Sequence, residues 1–131
     1  MSTSTELVRR CYAAWNRGDF SELEQLMSPG FEIDATDRVM NPDRYTGLDG
    51  FRRLVAELSD VWDAWHIEAP EMVEQGDRVF VAHEVHARGK GSGVELVRTY
   101  WSVWTVGAGK VVKLSLHVER DRARAAAGLP S

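Results

Sequence analysis

The sequence has little of what would tie its fold or its function to a disulfide, a membrane or a nucleic acid. It contains a single cysteine among 131 residues, so no intrachain disulfide can form, and a reducing, cytoplasmic setting is the simplest expectation. No apolar run approaches the roughly 18 residues that a membrane-spanning helix needs, and the first residues lack the pattern of a secretory signal. Net charge is −4, with 16 basic and 20 acidic side chains, which argues against nucleic acid as a partner.

What the chain does contain is enough apolar material for one globular core. Hydrophobic residues make up 44% of the sequence and charged residues 27%, which is the balance of a folded domain rather than of a disordered segment. The length fits a single domain spanning residues 1–131. Five tryptophans are a high count for this length, and we expect them in a core, a pocket wall or an interface.

The N-terminal half has the apolar period of helices. Two capping boxes, led by Thr3 and Asp19, open two successive helices, and Gly18 ends the first of them. Beyond these helices the sequence predicts a brief strand over 31–35, a loop over 36–46 and a third helix over about 48–62.

After Trp62 the apolar period changes from helical to alternating. Four strands separated by glycine-rich turns are predicted over 65–74, 79–88, 94–106 and 111–119, with a short helical tail over 121–129. Helices first and a meander of strands afterwards indicate an α+β domain rather than a parallel α/β sheet.

Four short sequence segments are similar to segments of a known family. They are the helix opening and end over 7–19, the start of the third helix over 45–52, and two hairpin turns at 89–93 and 109–112. In their order and spacing they resemble the SnoaL-like group of the nuclear-transport-factor-two-like superfamily. The resemblance implies a cone-shaped, curved antiparallel sheet with three N-terminal helices packed on its concave face around an apolar pocket. It also implies a homodimer formed through the outer face of the sheet.

Asp34 is the first candidate catalytic residue. The resemblance places it at the catalytic base of ketosteroid isomerases, and a carboxylate beside an apolar wall gains proton affinity. The alternative is a solvated or loop-capping aspartate. The resemblance also places Cys11 and Trp101 at the two donors of the isomerase oxyanion hole, and this argues against steroid isomerisation.

His83 is the second candidate. By the two-residue period of a strand it shares a face with Val79, Val81 and Val85, and we expect that face to look inward. Such a histidine is either a hydrogen-bonded core residue or an acid–base group, and in the second case Asp34 is its expected partner. The resemblance puts Val85 where epoxide hydrolases of this fold carry an aspartate, so epoxide hydrolysis is disfavoured.

The remaining site predictions concern the wall of the pocket. Residues expected to bind the ligand are Tyr12, Trp15, Trp62, Trp65, Trp101 and Leu116. The resemblance puts Leu116 in the place of the catalytic aspartate of polyketide cyclases, which weakens a cyclase assignment. The leading hypothesis is an enzyme without cofactor or metal that acts on a hydrophobic small molecule by acid–base chemistry, since the histidines lack metal-motif spacing. The alternatives are a non-catalytic binding module and a structural homodimer.

Overall fold

The computed structural model describes residues 3–38 and 42–130. Within these ranges the chain forms four helices and six strands, and the α+β class is confirmed. The elements are α1 (Ser4–Asn16), α2 (Phe20–Leu26), β1 (Met27–Asp34), β2 (Arg44–Thr46), α3 (Gly47–Val61), β3 (Trp62–Gln75), β4 (Arg78–Gly89), β5 (Glu95–Gly107), β6 (Lys110–His117) and α4 (Arg120–Ala126).

The strands form one curved, open sheet in the order β2-β1-β6-β5-β4-β3. Neighbouring strands are antiparallel except β1 and β6, which run parallel. Between these two strands the chain forms β2, α3, β3, β4 and β5. The segment 36–46 was expected as a loop, and the structure corrects its last three residues. They form β2, whose Tyr45 pairs with Ile33 of β1.

The start of α1 is held as its sequence predicts. The Thr3 hydroxyl accepts a hydrogen bond from the Glu6 backbone N–H at 3.1 Å, and the Thr3 N–H donates to the Glu6 carboxylate at 3.3 Å. This reciprocal capping box satisfies two donors that would otherwise lack partners. It fixes the direction of the helix that carries Tyr12 into the core.

Alternation along the strands divides the sheet into an inner face, covered by the three N-terminal helices, and an outer face. On the inner face of β4, Val79, Val81 and Val85 are at most 2% exposed and join the main core. On the outer face, α4 covers a second, smaller cluster that contains Phe80 and Val103. No helix in the two described ranges is long and apolar enough to cross a membrane.

Candidate functional site

Two cavities lie between the helices and the inner face of the sheet. We call the first, of about 70 Å³, the His83 cavity. Its walls are almost wholly apolar, and they are formed by Cys11, Tyr12, Trp15, Leu23, Met27, Phe31, Ile33, Phe51, Leu54, His83, Trp104, Val111 and Leu114. We call the second, of about 90 Å³, the Arg98 cavity. It is lined by Arg38, Tyr45, Leu54, Glu57, Leu58, Val61, Trp62, Trp65, Val85, Leu96, Arg98 and Tyr100.

A hydrogen-bonded network centred on Tyr12 forms one wall of the His83 cavity. The Tyr12 hydroxyl lies 2.8 Å from Nδ1 of His83 and 3.2 Å from Oγ of Ser102. The indole N–H of Trp104 donates to the same hydroxyl at 3.1 Å. All four side chains are buried, so the network links α1, β4 and β5 away from water.

Burial holds His83 neutral. It lowers the pKa of His83 from 6.5 to about 4, and among the described residues no charged group compensates for the lost hydration. Burial also raises the pKa of Tyr12, outweighing the opposite effect of its hydrogen bonds from Ser102 and Trp104. At neutral pH the pair is therefore an uncharged imidazole and an uncharged phenol.

Nε2 is the imidazole nitrogen of His83 that is left for a ligand. Tyr12 contacts Nδ1, and His83 lines the cavity. Nε2 has no hydrogen-bond partner among the described residues, and no fully buried side-chain nitrogen or oxygen there lacks one, so we infer that Nε2 borders the cavity. Because the contact of Tyr12 with Nδ1 is shorter than that with Ser102, we assign the phenol proton to Nδ1. The imidazole proton then sits on Nε2 and points into the cavity.

Cys11 lines the same cavity without being reactive. Burial raises the pKa of its thiol to about 12, so the nucleophilic thiolate is not populated at neutral pH. The hydroxyl of Tyr12 and the indole N–H of Trp104 already bond to each other. Nε2 of His83 is thus the strongest polar group that this cavity offers to a ligand.

Asp34 does not lie where the sequence analysis places it. On β1 the side chains of Phe31 and Ile33 line the His83 cavity, whereas Asp34 points to the opposite face of the sheet, beside Ser115 of β6. Its carboxylate accepts hydrogen bonds from the N–H and hydroxyl of Thr36. The expected meeting of Asp34 with His83 in one cavity is therefore wrong, because alternation along β1 sends the carboxylate outward.

The local contacts of Asp34 also differ from those of an activated base. Partial burial raises the pKa of Asp34, but the two hydrogen bonds from Thr36 and the charge of Arg44, 3.8 Å away, outweigh it and lower the pKa below its usual range. A carboxylate with a lowered pKa stays ionised and gives up its hydrogen bonds reluctantly. This environment matches the alternative of a loop-capping aspartate.

The predicted aromatic wall is divided between the two cavities. Tyr12 and Trp15 line the His83 cavity, and Trp62 and Trp65 line the Arg98 cavity with their ring centroids 5.7 Å apart. Trp101 corrects the expectation, because it pairs with Ala82 on the outer face and packs into the cluster under α4.

At two other positions the structure differs less from the predicted site. Leu116 pairs with Ser102 and packs against the core of the inner face, but its neighbour on that face, Leu114, lines the cavity instead. The sequence analysis places Cys11, rather than Tyr12, at the position of a phenol donor. In the structure both residues line the cavity, and Tyr12 supplies the hydroxyl.

Ser102 was not identified from the sequence, and Trp104 was identified only as one of several aromatic residues that could line a site. The available signal was the two-residue period on β5, which places both of them on the face of Tyr100 and opposite Trp101. That period did not show which face of β5 lines the cavity, because large apolar residues occupy both faces of β5.

Three side chains that could hold a metal ion lie on the outer face of the sheet, away from both cavities. Ligand atoms of Glu68, Glu84 and His86 lie within 4.8 Å of one another. Nε2 of His86 contacts the Glu84 carboxylate at 2.7 Å, and the ring of His66 lies beside it at a centroid distance of 6.2 Å. The cluster is separated from both cavities by the thickness of the sheet, and its side chains already pair with one another.

Comparison with known proteins places this geometry in a family. The model of the SnoaL-like domain matches residues 8–114. No curated protein matches the sequence. A protein of the NTF2-like fold from Burkholderia pseudomallei is 18% identical, with a TM-score of 0.78 over 95% of this chain and 97% of the other.

Two further solved structures share the fold at similar distance. The TerC protein, co-crystallised with polyporic acid, is 21% identical with a TM-score of 0.78, covering 90% of this chain and 92% of its own. A protein with a ketosteroid isomerase-like fold from Catenulispora acidiphila, in complex with trimethylamine, is 16% identical with a TM-score of 0.77, covering 98% and 96%. At these identities the likeness concerns the fold alone.

Proposed function

The chain belongs to the SnoaL-like domain family, and on that premise we propose that it binds a hydrophobic, ring-containing small molecule, with His83 as the acid–base group that contacts the ligand. The observation that carries the proposal is the position of His83. A neutral imidazole lines a cavity with almost wholly apolar walls, and Tyr12 engages its Nδ1, which leaves Nε2 for a ligand. An apolar pocket with one convergent polar group is the usual form of a small-molecule site.

The volumes of the cavities support a ligand that spans both. Neither the 70 Å³ of the His83 cavity nor the 90 Å³ of the Arg98 cavity reaches the roughly 150 Å³ at which an engineered apolar cavity holds benzene. Leu54 lines both cavities, so its side chain lies between them. A ligand that displaces Leu54 by a rotamer change gains room for a ring in each cavity.

The chemistry we propose at His83 is donation of a hydrogen bond and then of a proton. Nε2–H binds a carbonyl or hydroxyl oxygen of the ligand, and a neutral imidazole can act there as an electrophile. When the Nε2 proton moves to that oxygen, the hydrogen bond from the Tyr12 hydroxyl, 2.8 Å from Nδ1, stabilises the negative charge left on the imidazole while Tyr12 keeps its own proton. In a keto–enol isomerisation the ligand then returns a proton from carbon to Nε2, so His83 ends as it began and no group leaves the ligand.

A second candidate is a binding module without turnover. The observation that favours it is the outward position of Asp34, since no aspartate or glutamate of residues 3–38 and 42–130 lines the His83 cavity. Without a carboxylate nearby, proton abstraction from carbon would rest on His83 alone, and its lowered pKa makes it a weak base.

The ligands of distant structural neighbours support small-molecule binding by this fold. TerC was co-crystallised with polyporic acid, and the Catenulispora acidiphila protein holds trimethylamine. Because fold does not fix chemistry, we transfer neither molecule to this chain.

We further propose a homodimer through the outer face of the sheet. α4 covers the end of that face near Phe80, but Val97, 62% exposed, remains uncovered beside His86 on the same face. Light scattering behind a sizing column tests this. A dimeric mass for the wild type and a monomeric mass for Val97→Glu support the proposal, and a monomeric wild type overturns it.

Native mass spectrometry of protein purified from cell extract tests ligand binding. We expect a co-purified small molecule on the wild type and its loss from Cys11→Phe, which fills the His83 cavity. Ala125→Phe introduces the same side chain at an exposed position of α4 and should retain the ligand. Retention by Cys11→Phe would place the ligand elsewhere and overturn the proposal.

An activity assay with that ligand then distinguishes acid–base catalysis from binding without turnover. Conversion by the wild type and not by His83→Gln supports the acid–base assignment. Binding to the wild type with no conversion supports the binding module.

A further inference from the structure

We propose that the ligand carries an anionic group, most simply a carboxylate, and that Arg98 binds it in the Arg98 cavity. This rests on the proposed function, because it names the chemical class of the molecule that occupies the site. The inference starts from the place of one arginine in the sheet.

Arg98 stands on the inner face of β5. It pairs with Val85 of β4, which is 2% exposed and belongs to the main core. The Arg98 side chain lines the cavity together with aromatic residues on three strands, including Trp65 and Tyr100. It is half-buried, although most arginines of the chain lie at the exposed surface. The charge is therefore held next to aromatic walls rather than in open solvent.

Arg98 also has no counter-charge. In the described part of the chain, three arginines have neither a hydrogen bond nor an ion pair: Arg9, Arg88 and Arg98. Arg9 and Arg88 are exposed, where water serves as their partner. A half-buried guanidinium is costlier to leave unpaired, because the cavity removes part of its hydration. A carboxylate from a ligand would satisfy several of its N–H donors in a bidentate contact.

The charged groups that line the cavity leave an excess of positive charge. Arg38 lines the cavity as well and donates to the Tyr45 hydroxyl at 2.9 Å. Glu57 is its acidic residue, but the carboxylate is already engaged by the Tyr45 hydroxyl at 2.8 Å and by Arg53 at 2.9 Å. An anion bound at Arg98 therefore meets an excess of positive charge, in contrast to the net charge of −4 on the whole chain.

The two cavities together define an amphipathic ligand. The His83 cavity takes the apolar ring, and the Arg98 cavity takes the anionic end, with Leu54 between them. An aromatic or polycyclic carboxylic acid fits this division.

The test compares two probes of the same two-ring skeleton, 2-naphthoate and the neutral 2-naphthalenemethanol. Binding is measured by tryptophan fluorescence and confirmed by equilibrium dialysis. We expect the wild type to bind 2-naphthoate about tenfold to a hundredfold more tightly, the range of a hydrogen bond to a charged group. Arg98→Met should lose this preference and keep its affinity for the neutral probe. Arg88→Met, which removes an equivalent charge from an exposed strand position, should behave as the wild type.

Each other outcome overturns a defined part of the account. Equal binding of the two probes to the wild type overturns the anionic ligand and leaves the proposed function standing. Binding of neither probe counts against the proposed function itself. If Arg98→Met still binds 2-naphthoate more tightly than the neutral probe, the assignment to Arg98 is overturned. An equal loss of affinity for both probes in that variant overturns it as well.

Discussion

The Tyr12 hydroxyl oxygen lies 2.8 Å from Nδ1 of His83 and so joins helix α1 to strand β4 inside the protein. Both residues are buried, and the contact leaves Nε2 of His83 as the nitrogen that faces the cavity. The same contact supports the fold and orients the imidazole. Substitutions at Tyr12 and His83 therefore have distinguishable effects on stability and on ligand binding.

Tyr12→Phe should destabilise the protein by about 1–3 kcal/mol, because it leaves His83, Ser102 and Trp104 without a shared partner in an apolar interior. The measurement is the free energy of unfolding in urea. Tyr100→Phe is the matched control, since Tyr100 is also buried on this face but its hydroxyl has no hydrogen bond in the described ranges. Equal losses of unfolding free energy in Tyr12→Phe and Tyr100→Phe would contradict a stabilising hydrogen-bonded network around Tyr12.

Stability should fall as the pH is lowered from 7 to 4.5, and His83 should account for a defined share of the fall. The folded pKa of about 4 lies below the unfolded value of 6.5, so between these values the unfolded chain takes up a proton that the folded protein does not. The difference amounts to about 2–3 kcal/mol at pH 4.5.

The test compares unfolding free energies at the two pH values for the wild type, His83→Gln and His66→Gln. His83→Gln should lose about 2–3 kcal/mol less than the wild type over this interval. His66→Gln, at an exposed position, should follow the wild type. An unchanged pH dependence in His83→Gln would show that His83 is not held neutral by burial.

Leu54→Ala should join the two cavities into one. The loss of stability should be about 2 kcal/mol, at the low end for a leucine truncation, because Leu54 is only half-buried. A three-ring probe, anthracene-9-carboxylate, should bind the variant more tightly than the wild type. Leu58→Ala, on the same helix but lining only the Arg98 cavity, is the control and should not gain affinity to the same extent. Equal affinities in all three proteins would mean that Leu54 does not separate the cavities.

Asp34→Asn should leave the affinity for 2-naphthol within about twofold of the wild type, since the carboxylate lies on the face opposite the cavity. His83→Phe, which removes the Nε2–H donor and keeps a ring, should weaken the same probe by about tenfold, the effect of one lost hydrogen bond. Fluorescence titration of both variants checks the difference. A large loss in Asp34→Asn would return that residue to the site.

The order of elements could be predicted because its signals are local. The capping box at Thr3 and the turn glycines each act within a few residues of the chain. Gly76 and Gly109, for example, adopt positive φ values of 61° and 77° in the turns where the sequence predicts hairpins. Such features do not depend on which elements later meet in space.

The site was harder to predict because it depends on which face of each strand is covered. On β5, Trp101 and Val103 pack under α4 while Tyr100 and Trp104 are buried under α1–α3, so both faces look apolar in the sequence. On β1 the signal was present, since Phe31 and Ile33 alternate with Asp34. There the resemblance to the family predicts an inward Asp34, whereas the local period predicts the outward position that the structure has.

A long-range ¹H–¹⁵N correlation spectrum of the four histidine side chains, recorded during titration with 2-naphthol, shows whether His83 contacts the ligand. We predict a neutral imidazole for His83 at pH 7 and a shift of its Nε2 resonance on binding. The resonances of His66, His86 and His117, which lie on the outer face, should stay in place. A His83 Nε2 resonance that does not move while 2-naphthol binds would contradict the assignment of His83 to the ligand.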